Sequence, residues 1–184
     1  MKLVVFGSST GGTRILESLF KGLPKLDCAM AIVQHINAPF CQKFAKSLDV
    51  NSGMNVICSD EEEIFKPGTA FVARGGKHLE ITYPKAQNKD GEPVNYVHPA
   101  IDVTLKSIPS SKQIDLTVIL LTGMGKDGVE GVKYLKEKRQ CHLIAQSEES
   151  CSVFGIPKRA IETGLVDSVM SPEDIKNFLI KNYT

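Results

Sequence analysis

One serine lies in a motif that could make it a nucleophile. Residues 7–11 are Gly-Ser-Ser-Thr-Gly, which matches the pattern G-x-S-x-G, and they follow an apolar run and precede a predicted helix. In such a strand-to-helix turn, glycines allow a tight bend and the central serine, Ser9, is held out at the end of the strand. The backbone N–H of Thr10, at the start of the helix, is then a natural donor to an oxyanion. A glycine–serine turn that only joins strand to helix is the alternative interpretation.

A serine needs a general base, and the chain has four histidines. His35 follows the predicted strand 29–34, so it would lie with the serine at the carboxyl edge of the sheet, where open α/β sheets bind ligands. His98 is the second candidate, since it lies just before a predicted helix, whereas His78 and His142 open strands. For each histidine, an ordinary packing or surface role is the competing interpretation.

A candidate acid lies in a glycine-rich loop. Residues 121–128 are Leu-Thr-Gly-Met-Gly-Lys-Asp-Gly and end the most apolar strand of the chain, so Asp127 would also reach the carboxyl edge. There its carboxylate could orient an imidazole and stabilise the charged form of that ring. Asp127 also precedes a predicted helix at residues 128–138, where an aspartate commonly serves as the N-cap. Spacing alone favours neither role, and one carboxylate could not easily fill both.

The elements that must position these residues alternate along the chain. Apolar strands are predicted at residues 3–6, 29–34, 55–58, 116–121 and 143–145, with helices between them. This order predicts an α/β fold, a doubly wound and mainly parallel sheet with helices on both faces. Residues 69–83 are expected to form a β-hairpin and residues 84–97 an exposed polar loop. The helix after the second strand would carry Phe40, Phe44 and Leu48 on one face.

Composition and length limit the classes of protein to which the chain could belong. Its 184 residues are enough for one domain, and 1–184 are expected to form a single catalytic domain. With 22 basic and 21 acidic residues the net charge is +1, which gives no general attraction to nucleic acid or anionic membrane. The five cysteines are scattered without C-x-x-C spacing, so reduced thiols are expected rather than disulfides or a metal site. No run approaches the ~20 apolar residues of a membrane span, so a cytoplasmic protein that is not membrane-embedded is expected.

Taken together, the three motif segments resemble the catalytic domain of the bacterial chemotaxis protein-glutamate methylesterases, the CheB type. The resemblance rests on residues 7–12, 33–35 and 121–128, and residues 72–79, 98–103 and 145–157 support it in the same order. It implies that Ser9 is the nucleophile, His35 the general base and Asp127 the acid that orients it. It also implies oxyanion donors at the backbone N–H groups of Thr10 and Met124, and no metal or organic cofactor.

The resemblance also implies a substrate. Such enzymes hydrolyse glutamate γ-methyl esters on the cytoplasmic helices of methyl-accepting chemoreceptors and deamidate receptor glutamines. Three positions depart from the family pattern: Arg74 and Asn37 stand where proline is usual, and His98 stands where arginine is usual. These positions flank the cleft in the family and bear on substrate contact. The usual enzymes carry an amino-terminal receiver domain, which residues 1–184 do not include, so either a free-standing enzyme or a fragment is expected.

Two alternatives remain open from the sequence. Residues 8–13, Ser-Ser-Thr-Gly-Gly-Thr, also resemble the phosphate loop of flavodoxins, FMN-binding electron carriers in which hydroxyls and amides at a helix start hold the FMN phosphate. Against a flavodoxin, the chain has no tryptophan to stack on a flavin and is not strongly acidic, and the Asp127 loop would be left unexplained. The other alternative is an inactive relative that only binds a receptor or a regulatory partner.

Overall fold

A seven-stranded sheet forms the centre of the computed structural model, which describes all 184 residues. In spatial order its strands are β10 (Ser168–Met170), β9 (His142–Gln146), β8 (Asp115–Leu120), β1 (Lys2–Ser8), β2 (Ala29–Gln34), β5 (Thr69–Val72) and β3 (Asn55–Cys58). Neighbouring strands pair in parallel throughout. The predicted α/β class is therefore confirmed, with the short edge strand β10 as an element that the sequence did not reveal.

Helices cover both faces of this sheet. One face carries α1 (Gly12–Phe20), α2 (Ala38–Val50) and α6 (Pro172–Tyr183), and the other carries α3 (Ile101–Ser107), α4 (Val129–Lys138) and α5 (Ile156–Glu162). Alternate residues of β1 enter the two cores, Val4 and Phe6 on the first face and Leu3 and Val5 on the second. Burial on both sides explains why the strands are continuous apolar runs. No helix is both long and apolar enough to cross a bilayer.

The hairpin predicted near residues 69–83 is wrong in its pairing. β5 joins the parallel sheet between β2 and β3, because its residues 70–72 are buried and apolar. β6 (His78–Ile81) pairs instead with β7 (Lys85–Lys89), and β4 (Glu62–Ile64) completes a separate antiparallel sheet. The predicted polar loop at 84–97 is accordingly wrong over its first part, which is the middle strand of this small sheet.

The cysteines also differ from expectation, since Cys41 and Cys58 form a disulfide with their Cα atoms 5.8 Å apart. Cys41 lies in α2 and Cys58 ends β3, and these two elements pack against each other. The two cysteines are 17 positions apart along the chain, and this spacing did not indicate that they are in contact. Cys28, Cys141 and Cys151 are free thiols.

Candidate active site

Ser9 and His35 follow directly on the last paired residues of two neighbouring strands. In the parallel register of β1 and β2, Ser8 lies opposite Gln34. The backbone N–H of His35 donates to the carbonyl oxygen of Ser8 at 3.0 Å. The chain therefore leaves the sheet at Ser9 and at His35 side by side, at the carboxyl edge that the sequence indicated.

A buried glutamine, which sequence analysis missed, joins the two strands at this point. Gln34 is 3% exposed, and its Nε2 donates to the carbonyl oxygens of Ser9, at 2.9 Å, and of His35, at 3.1 Å. Its Oε1 accepts a hydrogen bond from Ser8 Oγ at 2.6 Å. One side chain thus fixes the backbone of both candidate residues. The available signal was a polar residue at the end of an otherwise apolar strand.

The turn after β1 is compact enough to require glycine. Gly12 N donates to the carbonyl oxygen of Ser9 at 2.9 Å. Gly11 has a φ of 82°, in the left-handed region that side chains disfavour. A Cβ atom on Gly12 would lie 2.2 Å from Gln34 Oε1. Glycine at position 12 therefore lets the start of α1 lie against the end of β2, and Gly11 allows the left-handed backbone that precedes it.

The glycine-rich loop after β8 lies directly against Ser9. The amide of Ser9 donates to the carbonyl oxygen of Thr122 at 3.0 Å, and a Cβ on Gly123 would approach Ser9 Cβ to 2.7 Å. Thr122 Oγ1 also donates to the carbonyl oxygen of Thr10 at 3.0 Å. The amides of Thr10 and Met124 donate to no other group of the protein. Both predicted oxyanion donors therefore lie free in segments that contact Ser9.

The Asp127 carboxylate receives four hydrogen bonds. Oδ2 accepts from His35 Nε2 and from the amide of Ile101, both at 2.7 Å. Oδ1 accepts from the amide of Asp102 and from Asn95 Nδ2, both at 3.0 Å. Four donors match the four lone-pair positions of an ionised carboxylate. Burial raises the pKa of Asp127, but the hydrogen bonds from His35, Asp102 and Ile101 outweigh it and leave the pKa lowered.

The contact with Asp127 also determines which nitrogen of the His35 ring remains available to another group. Because Nε2 of His35 faces the carboxylate, Nδ1 is the nitrogen left for a second partner. No hydrogen bond joins the ring to the Ser9 hydroxyl in this structure.

The N-cap interpretation of Asp127 is wrong for the helix that follows it and right for another. α4 begins after Gly128 without a side-chain cap from Asp127, and Asp127 instead binds the first amides of α3. Asp102, in the first turn of α3, accepts hydrogen bonds from Gly128 N at 3.0 Å and Gly131 N at 2.7 Å. Each carboxylate thus caps the other's helix, and Asp127 combines capping with the contact to His35. Burial raises the pKa of Asp102, although the hydrogen bonds from Gly131 and Asn95 oppose that rise.

The other three histidines do not approach Asp127. His98 packs edge-on against His78, with their ring centroids 4.6 Å apart. His142 stacks on Phe178 on the far part of the sheet. His35 is therefore the histidine that the fold brings to the candidate acid.

A shallow opening lies beside His35. It is lined by Ile36, Asn37, Phe40, Tyr96, Val97 and His98. Phe40 was expected on one face of α2 with Phe44 and Leu48. Those two are buried, whereas Phe40 is 58% exposed, because it lies in the first turn of α2 at this opening. Of the three positions that depart from the methylesterase pattern, two line this opening. The third, Arg74, pairs with Asp60 beside a neighbouring depression.

The fold and these contacts match a known family over almost the whole chain. A family model described as CheB methylesterase matches residues 4–179. The chain belongs to the CheB methylesterase family. The crystal structure of the CheB methylesterase catalytic domain from Thermotoga maritima is similar, with a TM-score of 0.88 and 36% sequence identity. That similarity covers 98% of this chain and 97% of the Thermotoga chain.

Two curated relatives are named protein-glutamate methylesterase/protein-glutamine glutaminase. The one from Halalkalibacterium halodurans is 38% identical over 184 residues, and the one from Natronomonas pharaonis is 43% identical over 174 residues. The matches cover 97% and 90% of this chain but 53% and 48% of those proteins, so the chain spans about half the length of the curated relatives it matches. Membership of the CheB methylesterase family argues against the flavodoxin alternative.

Proposed function

We propose that this chain catalyses the hydrolysis of glutamate γ-methyl esters on the cytoplasmic helices of chemoreceptors. The same site would deamidate glutamines, because both reactions pass through one acyl intermediate. The observation that carries the proposal is the 2.7 Å contact of His35 with the ionised Asp127, beside Ser9, in a member of the CheB methylesterase family. The proposed substrate would place the protein in the cytoplasm.

In the proposed mechanism, Ser9 Oγ attacks the ester carbonyl while Nδ1 of His35 takes the hydroxyl proton. Asp127 stays ionised and holds Nε2–H, so the imidazolium that forms is stabilised by the carboxylate. The free amides of Thr10 and Met124 bind the oxyanion. Nδ1–H then protonates the leaving methoxide, and methanol departs from the acyl-enzyme. A water molecule, deprotonated by His35, releases the glutamate and restores Ser9.

The opening beside His35 fits a helical substrate that presents one side chain. Phe40 and Tyr96 are 58% and 101% exposed there, and exposed aromatic side chains beside a cleft commonly mark a protein contact. An apolar stripe on a receptor helix would lie across them while a methylated glutamate reaches Ser9. His98 and Asn37, which line the same opening, would then contact the receptor next to the ester.

The test is methanol release from methylated chemoreceptor by the wild type, Ser9→Ala and Ser8→Ala. Ser9→Ala is expected to lower turnover by at least about 10³-fold, as removal of a triad nucleophile does. Ser8 is the matched control, because its hydroxyl is buried against Gln34, and Ser8→Ala is expected to stay within about tenfold of wild type. Equal inactivation by both changes would contradict the assignment of Ser9. Receptor binding without methanol release by the wild type would support the inactive relative instead.

A further inference from the structure

A two-residue turn brings Asn95 to the Asp127 carboxylate on the side away from His35. Val94 and Val97 exchange backbone hydrogen bonds of 3.2 and 3.1 Å. The residues between them, Asn95 and Tyr96, have φ values of 54° and 65°. Positive φ at both central positions is the pattern of a type I′ turn, in which asparagine is favoured and tyrosine is not. The chain therefore accepts an unfavourable conformation at Tyr96 in a turn that places the Asn95 side chain.

The Asn95 amide lies between two buried carboxylates. Its Nδ2 donates to Asp102 Oδ2 at 2.8 Å and to Asp127 Oδ1 at 3.0 Å. A side-chain amide nitrogen carries two hydrogens, so each carboxylate receives one of them. Asp102 and Asp127 are each 3% exposed. Two neighbouring carboxylates with so little solvent repel each other and favour protonation of one, and a shared donor between them opposes both effects.

We propose that Asn95 is a positioning residue for the proposed esterase and that its amide holds the Asp127 carboxylate turned toward His35. The inference rests on the proposed function. Asn95 makes no hydrogen bond with Ser9 or with the imidazole, so it acts through the acid. While the amide binds Oδ1 of Asp127, Oδ2 is left to accept from Nε2 of His35. The bridge also ties Asp127 to α3 through Asp102.

Few charged groups surround Asp127, so the effect of a charge added at position 95 should be measurable. The titratable groups that face it are His35 at the end of β2 and Asp102 on α3, and Lys106 on α3 acts on Asp102. Lys126, the preceding residue, is exposed. The Asn95 turn contributes no charge of its own. A new carboxylate at position 95 would therefore be the third negative group of the cluster, opposed mainly by the imidazolium form of His35.

Two substitutions separate the amide from the turn. Asn95→Asp keeps the size and the tolerance of positive φ but replaces both donors by a carboxylate. Asn95→Gly keeps the backbone conformation and removes the side chain. In each, kcat for methanol release from methylated receptor is expected to fall 10- to 100-fold with KM changed less than threefold. In Asn95→Asp the acid limb of the kcat–pH profile is also expected to move upward by about one pH unit, because added negative charge favours the imidazolium.

Asn182→Asp is the control, since it makes the same chemical change at an exposed position of α6, where the amide donates to the carbonyl oxygen of Phe178, and its kcat and pH profile are expected to match wild type. NMR titration of the His35 ring in the same variants gives a readout that needs no substrate. If wild type releases no methanol, the proposed function fails, yet an upward shift of the ring titration in Asn95→Asp still supports the bridge. Folded Asn95 variants with a wild-type kcat and ring titration, or a kcat lost without any shift in Asn95→Asp, would overturn the inference.

Discussion

Replacing Gln34 by glutamate would test whether one buried amide holds the backbone of Ser9 and His35 together. The change keeps the shape of the side chain but turns Nε2, which donates to those two carbonyl oxygens, into an oxygen. An ionised carboxylate would then face two carbonyl oxygens at a position that is 3% exposed in the wild type. Burial and this repulsion raise the pKa of the introduced carboxyl above the ~4.3 of an exposed glutamate.

The magnitude follows from the bonds lost. A buried acceptor that loses its partner costs about 1–3 kcal/mol, so the ionised variant is expected to be about 2–6 kcal/mol less stable than wild type. The carbonyl oxygen of Ser9 keeps its hydrogen bond from Gly12 N, so losing the Gln34 donor there should cost an amount at the lower end of the ~1–3 kcal/mol per acceptor. The protonated carboxyl keeps one donor and regains roughly half of the loss. The full destabilisation is therefore present above the raised pKa and is partly relieved as the pH falls through it.

Urea unfolding of wild type, Gln34→Glu and Ser8→Ala between pH 8 and pH 5 measures this effect. The difference between wild type and Gln34→Glu should shrink by at least about 1 kcal/mol on going to pH 5. Ser8→Ala loses only the hydroxyl that donates to Gln34 and should differ from wild type by about 1 kcal/mol at every pH. A misplaced nucleophile or base should also lower the kcat of Gln34→Glu about 10- to 100-fold. A Gln34→Glu difference that does not change with pH, or stays below about 0.5 kcal/mol, would refute the bridging role.

Three other substitutions test residues of the site, the turn after β1 and the disulfide. Asp127→Asn should lower kcat by roughly 10⁴-fold. Because the pKa of Asp127 is lowered from 3.8, the stabilisation by its carboxylate is complete above that pH and is lost as the pH falls below it. The unfolding free energy measured in urea should therefore fall less between pH 7 and pH 3 for the variant than for wild type. Gly12→Ala should lower the unfolding free energy by about 1–3 kcal/mol in thermal unfolding, since its Cβ would lie 2.2 Å from Gln34 Oε1, and a wild-type Tm would contradict the described turn. Cys58→Ser should cost about 3 kcal/mol in urea unfolding, because the disulfide joins residues 17 apart, and reducing agent should lower the wild type to the same value while leaving the variant unchanged.

The positions of Ser9, His35 and Asp127 could be predicted because each follows a buried strand. Apolar runs mark such strands in the sequence, and parallel strands end at one edge, so residues just after them lie close together. The same reasoning failed at residues 69–83, where two strands adjacent in sequence belong to different sheets. The local sequence pattern predicts that a strand is present but not which strand it pairs with. The pairing of β5 followed from the burial of both its faces, which places it inside the parallel sheet.

The groups that support the candidate triad could not be predicted in this way. Asn95 reaches Asp127 from a turn 32 residues away, and nothing in its local sequence distinguishes it from other polar residues of a loop. Asp102 and Asp127 each stand near a helix start, which suggests a cap for the adjacent helix, yet each caps the other's. Such exchanges depend on how α3 and α4 pack together, which is a tertiary property that no local pattern records.

The crossed caps of α3 and α4 also have a consequence for the opening motions of the protein. The amides of Ile101 and Asp102 are bound by the Asp127 carboxylate, and those of Gly128 and Gly131 by the Asp102 carboxylate. Neither helix start can unravel without removing the acceptor of the other. We therefore expect these four amides to exchange their hydrogens with solvent as one cooperative unit. The candidate acid would then be released from His35 only in a rare event that opens both helix starts together, and not by local fraying of a loop.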